Sequence, residues 1–430
     1  MRHDERAAVG IIVALLMTLI CGFVALAIDI GRSVTVATRL EQILDTAALA
    51  GARLLDEDDI SDSQIADRVT RFVEAQAPIL GIPPTVLANL TVTIDRTANS
   101  VTATAKGNLQ TTFASVIGFK TVDVGKSATV VYHMKDVELA LVLDTTGSMA
   151  DVPAGDTVSK IDSLKTAANT VVETLFSQAV NDRGIRIAVA PFSSSVNVGS
   201  YASSTIASSG GFYSSFYASF ASTGTNSGCA VERTGVDNTT DAGPYGYDKL
   251  RDLSTVGASG NACPSASVLP LTGRSQQVQI KKIISNFSPN GSTAGHIGAA
   301  WGWYLLSPNW NGIFTGANAP GAYRDSNVNK NLVLMTDGLF NTSYLTAPPV
   351  GSAAATQESY AQFRALCTNM KNNGITIYTV GFGLTDPAAA TELGNCASSS
   401  ANFFSAANGS ELQSAFASIV AKLNQLRVAR

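Results

Sequence analysis

The residues best suited to chemistry are oxygen donors that lie far apart in the chain. Asp144, Thr146 and Ser148 sit in VELALVLDTTGSM, in a turn directly after the run Val137 to Leu143, apolar but for Glu138. Asp337 follows a second apolar run in LVLMTDG, and Thr293 lies in GSTAGHIG. Such runs, ended by a turn, read as parallel strands buried on both faces. Open α/β sheets place their ligands beyond the carboxyl ends of those strands. All five groups are hard oxygen donors, which suit Mg²⁺ held with several retained waters, with Mn²⁺ or Ca²⁺ as alternatives. Divalent-cation binding is therefore the chemistry expected, with no thiolate or imidazole required.

Catalysis has little to rest on. The histidines are His3, His133 and His296, and none falls in a hydrolase motif. GSTAGHIG lacks the Lys of a phosphate-binding loop, so no enzyme is expected. His296 reads as a structural histidine satisfied inside the fold. Trp301, Trp303, Tyr304, Leu305 and Leu306 read as core against a sheet rather than a sugar-binding stripe. Asp151, Asp156 and Asp162 read as solvated surface charge rather than an auxiliary cation site. With 29 Lys plus Arg against 33 Asp plus Glu, the chain has no basic footprint for nucleic acid.

The elements that must position these groups follow from periodicity. Helix Lys160 to Ser177, strand Ile185 to Phe192, helix Ala294 to Leu306, strand Asn331 to Thr336, helix Gln357 to Asn372 and strand Ile375 to Phe382 alternate regularly. A last helix opens with Ser410 and Gln413 as a capping box. That alternation predicts an α/β doubly wound, mostly parallel sheet. A stretch without charge, from Ile187 to Val231, interrupts it and reads as a Ser/Gly-rich insertion spanning about 193–272.

The N-terminal third differs. Ala7 to Ile28 carries no charge and is long enough to cross a hydrocarbon core of about 30 Å; a cleaved signal peptide, with its shorter apolar region, is the alternative. Arg2 and Arg6 are matched by Arg32 and Arg39, so the positive-inside rule gives no orientation. Leu40, Ile43, Leu44, Ala47 and Ala48 continue at helical spacing as far as the acidic run Asp56 to Asp59. A helix Ser63 to Gln76, a hairpin of Leu90 to Asp95 with Ser100 to Ala105, a short helix around Phe113 to Ile117 and a strand near Val122 to Tyr132 follow. The expected organisation is a tip and transmembrane anchor over 1–29, a small α+β domain over 30–134 and the doubly wound domain over 135–430.

Cys229, Cys263, Cys367 and Cys396 all follow the span, with no spacing suggestive of zinc. Two disulfides in an oxidising compartment are expected. Sequence order favours Cys229 with Cys263 and Cys367 with Cys396, and the other two connectivities stay open.

The motif Asp144-x-Thr146-x-Ser148, with Thr293 and Asp337 at a distance, resembles the metal-ion-dependent adhesion site of von Willebrand A domains, whose first motif is D-x-S-x-S. The resemblance implies hydroxyls from Thr146, Ser148 and Thr293, contacts largely through water from Asp144 and Asp337, and a free position for a partner's carboxylate. Thr146 departs from the motif's Ser but keeps its hydroxyl. The apolar span followed by Asp29-Ile30-Gly31-Arg32, with GHIGAAWGWYLLSP, ITIYTVGFG and NCASSSANFFSAANGSELQSAF, resembles TadG-like proteins of tight-adherence (Flp) pilus systems. This resemblance implies anchoring in the cytoplasmic membrane through residues 7–28, with the C-terminal domains in the periplasm or reaching the cell surface. It also implies a part in pilus assembly or adhesion, with pilus-assembly components as partners. The alternative is a periplasmic scaffold whose A-domain binds those components without metal.

Overall fold

A computed structural model of the chain describes residues 5–427 apart from 58–59, 97, 132–134, 178, 180–181, 183, 208–226, 246–248 and 257–261. His3, His133, Tyr132, the end of the acidic run and the Ser-rich centre of the insertion lie outside the described residues. The chain divides into two compact units, Met1–His133 and Met134–Arg430.

In the first unit α1 (Glu5–Arg53) runs unbroken from the apolar segment into an amphipathic half. Val36, Leu40, Ile43, Leu44, Ala47 and Ala48 on that half are buried, at the i, i+4, i+7 spacing that puts them on one stripe. α2 (Asp62–Gln76) starts one residue earlier than its periodicity suggests, because Ser61 and Gln64 form a reciprocal capping box. Strands β1 (Thr91–Asp95), β2 (Ser100–Gln110) and β3 (Thr121–Val131) form an antiparallel sheet. Val101, Ala103 and Ala105 alternate inward and close a core with the α1 stripe and with Ile65, Val69 and Val73 of α2.

In the second unit β4 (Asp136–Asp144) leads to α3 (Lys160–Ser177) and β5 (Ile185–Phe192). The insertion adds β6 (Val196–Asn197), α4 (Ala202–Thr205), β7 (Cys229–Val231) and β8 (Arg251–Asp252), whose strands make a small antiparallel sheet. Next come β9 (Leu269–Thr272), α5 (Gln277–Ser285), α6 (Gly295–Tyr304), β10 (Val328–Thr336), α7 (Ala353–Asn372), β11 (Thr376–Phe382), α8 (Pro387–Cys396), β12 (Phe403–Ala406) and α9 (Gly409–Arg427). The main sheet has the order β12-β11-β10-β4-β5-β9. It is parallel except for β9, an antiparallel edge strand on β5. The expected doubly wound, mostly parallel sheet is thus observed, and one strand of it comes from the segment read as an insertion.

β4 shows why its sequence, apart from Glu138, is apolar from Val137 to Leu143. Val137, Leu139, Leu141 and Leu143 face a core shared with α3, α5 and α9. Ala140 and Val142 face the opposite core, shared with α6 and α7. A strand covered on both faces has no solvent side to pattern. The Trp301, Trp303, Tyr304, Leu305 and Leu306 cluster is fully buried in that second core. Cys229 bonds to Cys263, and Cys367 bonds to Cys396, which joins α7 to α8. The start of α9 differs from its expected cap: Asn408 Oδ1 accepts from the Glu411 N–H at 3.0 Å and Glu411 Oε2 accepts from the Ala407 N–H. The helix therefore begins before Ser410, because the Asn408 side chain satisfies its first free donors.

α6 approaches the sheet through three glycines on one face. A Cβ on Gly295 would lie 2.0 Å from Phe340, one on Gly298 2.6 Å from Phe192, and one on Gly302 2.3 Å from Val142. Gly302→Ala is expected to lower unfolding stability by about 1–3 kcal/mol through overpacking. Denaturant titration of the variant checks this, and an unchanged midpoint would contradict the close approach.

Candidate functional site

The sheet order changes direction between β4 and β10, since β5 lies on one side of β4 and β10 on the other. Ligands of open α/β sheets bind at this switch point, beyond the carboxyl ends of the strands. Asp144 is the last residue of β4, and Asp337 follows the last residue of β10. The pairing of Leu143 with Met335 brings these two ends side by side.

Hydrogen bonds fix the carboxylates. Asp144 Oδ1 accepts from the Thr146 N–H at 2.8 Å, and Asp144 Oδ2 accepts from Thr336 Oγ1 at 2.6 Å. Asp337 Oδ1 accepts from Ser148 Oγ at 2.7 Å, and Ser148 Oγ lies 3.1 Å from Thr146 Oγ1. The Thr293 segment is tied to the same turn by the Asn290 N–H on the Thr145 carbonyl and the Gly147 N–H on the Gly291 carbonyl. Gly291 allows this with a φ of +82°, where Ala262 and Ser194 leave no room for a Cβ. Thr293 is itself held by Asn341: its N–H donates to Asn341 Oδ1 at 2.9 Å and its carbonyl accepts from the Asn341 N–H.

The structure thus brings the Asp144, Thr146, Ser148 and Asp337 side chains into one hydrogen-bonded cluster. It ties the loop of Thr293 to that cluster through the backbone. Among the described residues, the Thr293 hydroxyl bonds to none of the other four side chains.

Two further residues complete the cluster. Lys160 Nζ donates to Asp337 Oδ2 at 2.8 Å, with the Asp337 side chain fully buried and that of Lys160 12 % exposed. Thr336 holds Asp144. Neither follows from a strand-end motif, yet Lys160 carries a signal: it is the first residue of α3, where the helix dipole disfavours a cation. A lysine there implies a counter-charge nearby. Asp156 and Asp162 are engaged elsewhere: Asp156 accepts from the Gly409 N–H at 2.7 Å, and Asp162 accepts from Ser159 Oγ and pairs with Lys165. Asp151 adjoins the site through its backbone, its N–H donating to the Ser148 carbonyl and its carbonyl accepting from the Lys160 N–H. His296 is buried, with Nδ1 2.7 Å from Ser359 Oγ.

Two buried carboxylates share one cation: among the described residues, Lys160 is the one that pairs with either. Burial, with the Asp337 charge adding to it, pushes the Asp144 carboxyl up to about 7. The donor set of carboxylates and hydroxyls, and the uncompensated charge it holds, fit a hard divalent cation. Among the described residues, no group of three or more His, Cys, Asp or Glu could hold a metal, so any metal here would rely on the hydroxyls.

The insertion touches the segment after Asp337. Glu232 Oε1 accepts from Ser343 Oγ at 3.2 Å and from the Tyr344 N–H, while Tyr344 donates to the Ser194 carbonyl at 2.8 Å.

Comparison with known families matches residues 7–54 to the Flp pilus-assembly TadE/G-like family and residues 255–418 to the von Willebrand factor type A domain. The Asp144 turn lies N-terminal to that second stretch. No curated protein matches. Among solved structures, the pilus adhesin SpaC from Lactobacillus rhamnosus GG is similar at 12 % identity and a TM-score of 0.39, over 78 % of this chain and 34 % of SpaC. The vWF domain of the type V pili tip protein Mfa5 from Porphyromonas gingivalis is similar at 13 % identity and a TM-score of 0.39, over 69 % of this chain and 98 % of that one. Proximal thread matrix protein 1 from the mussel byssus, with a zinc-occupied MIDAS motif, is similar at 15 % identity and a TM-score of 0.34, over 68 % and 48 %. The chain therefore spans about a third of SpaC and half of the mussel protein.

Without metal, Asp144 keeps its proton in the fold from its ordinary 3.8 up to about 7, where the unfolded chain has lost it. Folding stability from this group should therefore fall as pH rises through that window. In chelator, Asp144→Asn should become progressively more stable than wild type between about pH 4 and about pH 7, with the difference level above that. Thermal unfolding across that range checks this, and a pH-independent difference would contradict it.

Proposed function

We infer what the chain does from what it is: a TadG-like Flp pilus-assembly protein in which a TadE/G-like N-terminal region precedes a von Willebrand factor type A domain. It acts as a membrane-anchored binding module of the bacterial envelope, and the A-domain engages a protein partner through a divalent cation. The observation that carries this reading is the Ser148 to Asp337 hydrogen bond at 2.7 Å, which joins two loops 189 residues apart into one oxygen-rich cluster. Thr146, Ser148 and Thr293 would offer hydroxyls and Asp144 and Asp337 their carboxylates. A bound Mg²⁺ would supply an electrophilic position for a carboxylate of the partner.

The apolar half of α1 supports an anchor: its exposed residues include Leu15, Leu16, Met17, Leu19, Ile20 and Phe23, as a lipid-facing helix requires. The two disulfides support an oxidising compartment for the second unit. Pilus-assembly components are the proposed partners, and no step of bond making or breaking is assigned to the chain.

Lys160 supports a second reading, a scaffold that binds pilus components without metal, because its ammonium already neutralises Asp337. Thermal unfolding of the full chain in detergent separates the two. Under the metal reading, Mg²⁺ at about a hundred times its Kd raises the midpoint by several degrees. Asp144→Ala and Asp337→Ala remove that response, and Lys160→Gln tightens Mg²⁺ binding roughly three- to tenfold by removing a competing cation. A wild-type midpoint that ignores Mg²⁺, with a Lys160→Gln variant that is destabilised and equally unresponsive, would reject the metal reading in favour of the scaffold.

A further inference from the structure

We propose that the loop joining β2 to β3 is a second membrane contact, which dips into the interfacial region of the bilayer beside the point where α1 leaves it. This rests on the reading of residues 7–28 as a membrane span and adds an interaction surface to it. The loop, TTFASVIGFK from Thr111 to Lys120, contains one charged residue, Lys120, at its end. Four of its large apolar side chains are turned to the outside: Phe113 is 46 % exposed, Val116 87 %, Ile117 58 % and Phe119 66 %. A water-soluble turn rarely presents so many together, and a contiguous exposed apolar patch marks a protein or membrane contact.

Two observations select the membrane. The loop is bolted to the first charged residue beyond the apolar span: the Asp29 carboxylate accepts from the N–H groups of Thr112 at 2.9 Å, Phe113 at 2.9 Å and Ala114 at 2.7 Å. Arg32 Nη1 adds a bond to Thr112 Oγ1 at 2.9 Å. The loop is therefore fixed at the level where α1 passes from apolar to polar sequence. The exposed apolar surface of α1 also runs past Asp29, since Ile28 and Ile30 are each 50 % exposed and Val34 is 59 % exposed. Phenylalanines and a flanking lysine are the composition of interfacial anchors, with rings among the upper acyl chains and the ammonium among headgroup phosphates. The loop backbone is suited to that place: the Phe119 carbonyl accepts from Thr111 Oγ1, and the Gly118 and Phe119 N–H groups bond to the carbonyls of Ser115 and Ala114. Desolvating such a turn leaves few peptide groups without partners.

Tryptophan fluorescence tests this on the full chain in nanodiscs, with or without bromine near the top of the lipid acyl chains. Trp301, Trp303 and Trp310 are buried in the second unit, and their emission is subtracted with the wild type. Leu19→Trp reports insertion of α1. Val116→Trp reports the loop. Asp67→Trp, on α2 beside the Gly51 end of α1, reports a site about 30 Å along that helix from Asp29. Bromine is expected to lower the Leu19→Trp and Val116→Trp signals severalfold more than the Asp67→Trp signal. Quenching of Leu19→Trp alone would overturn the loop contact and leave the span intact, and a blue-shifted, unquenched Val116→Trp signal would show that protein covers the loop instead. Quenching of neither would overturn both readings.

Discussion

Asp144 and Asp337 are buried at the rim of a parallel sheet, close enough for each charge to oppose the other, and one lysine answers only one of the two charges. Two carboxylates can stay in a dry site only when each oxygen has a donor and the net charge is answered. The surrounding structure meets the first condition through Thr146, Ser148, Thr336 and Lys160. It meets the second incompletely, which is why burial raises the Asp144 pKa. The proposed binding function rests on that residual charge more than on the fold, because many doubly wound sheets carry no metal.

The same device recurs elsewhere in the chain: an aspartate collects hydrogen bonds from a segment far away in sequence and so fixes a loop. Asp29 holds the β2 to β3 loop, and Asp241 receives Ser307, Tyr323 and Asn309. Asp252 holds both Ser227 and Ser254 within the insertion. Hydrogen bonds to a charged acceptor are stronger than neutral ones, so few are needed to order long connections in a chain with little surface charge. Glu138 plays the corresponding part inside the sheet, where it pairs with Lys330 and Arg186.

What could be read from the sequence depended on how local the cause was. β4, β5, β10 and β11 were legible because strands buried on both faces are nearly continuous runs of apolar residues. β9 and β12 are four residues each, LPLT and FFSA, too short to show a period, and their pairing is decided by the sheet edge they join. The cap of α9 went to Asn408 and Glu411 rather than Ser410 and Gln413, since both pairs match the pattern and only the Asp156 bond to the Gly409 N–H shows where the chain turns. At the site, the aspartates and hydroxyls stood out as polar residues ending apolar runs. Lys160 stayed hidden because its partner lies 177 residues away, and Thr336 because a threonine within a strand is ordinary. In sequence the exposed Phe113 to Phe119 loop shows only as a short helix around Phe113 to Ile117, since exposure does not follow from apolar residues alone.

Calorimetric titration of Mg²⁺ into the purified full chain, beside its Asp144→Ala form, addresses the charge deficit most directly. One ion per wild-type chain and no binding heat from the variant are expected. Equal heats from the two, or none from either, would contradict a cation site built on Asp144 and Asp337.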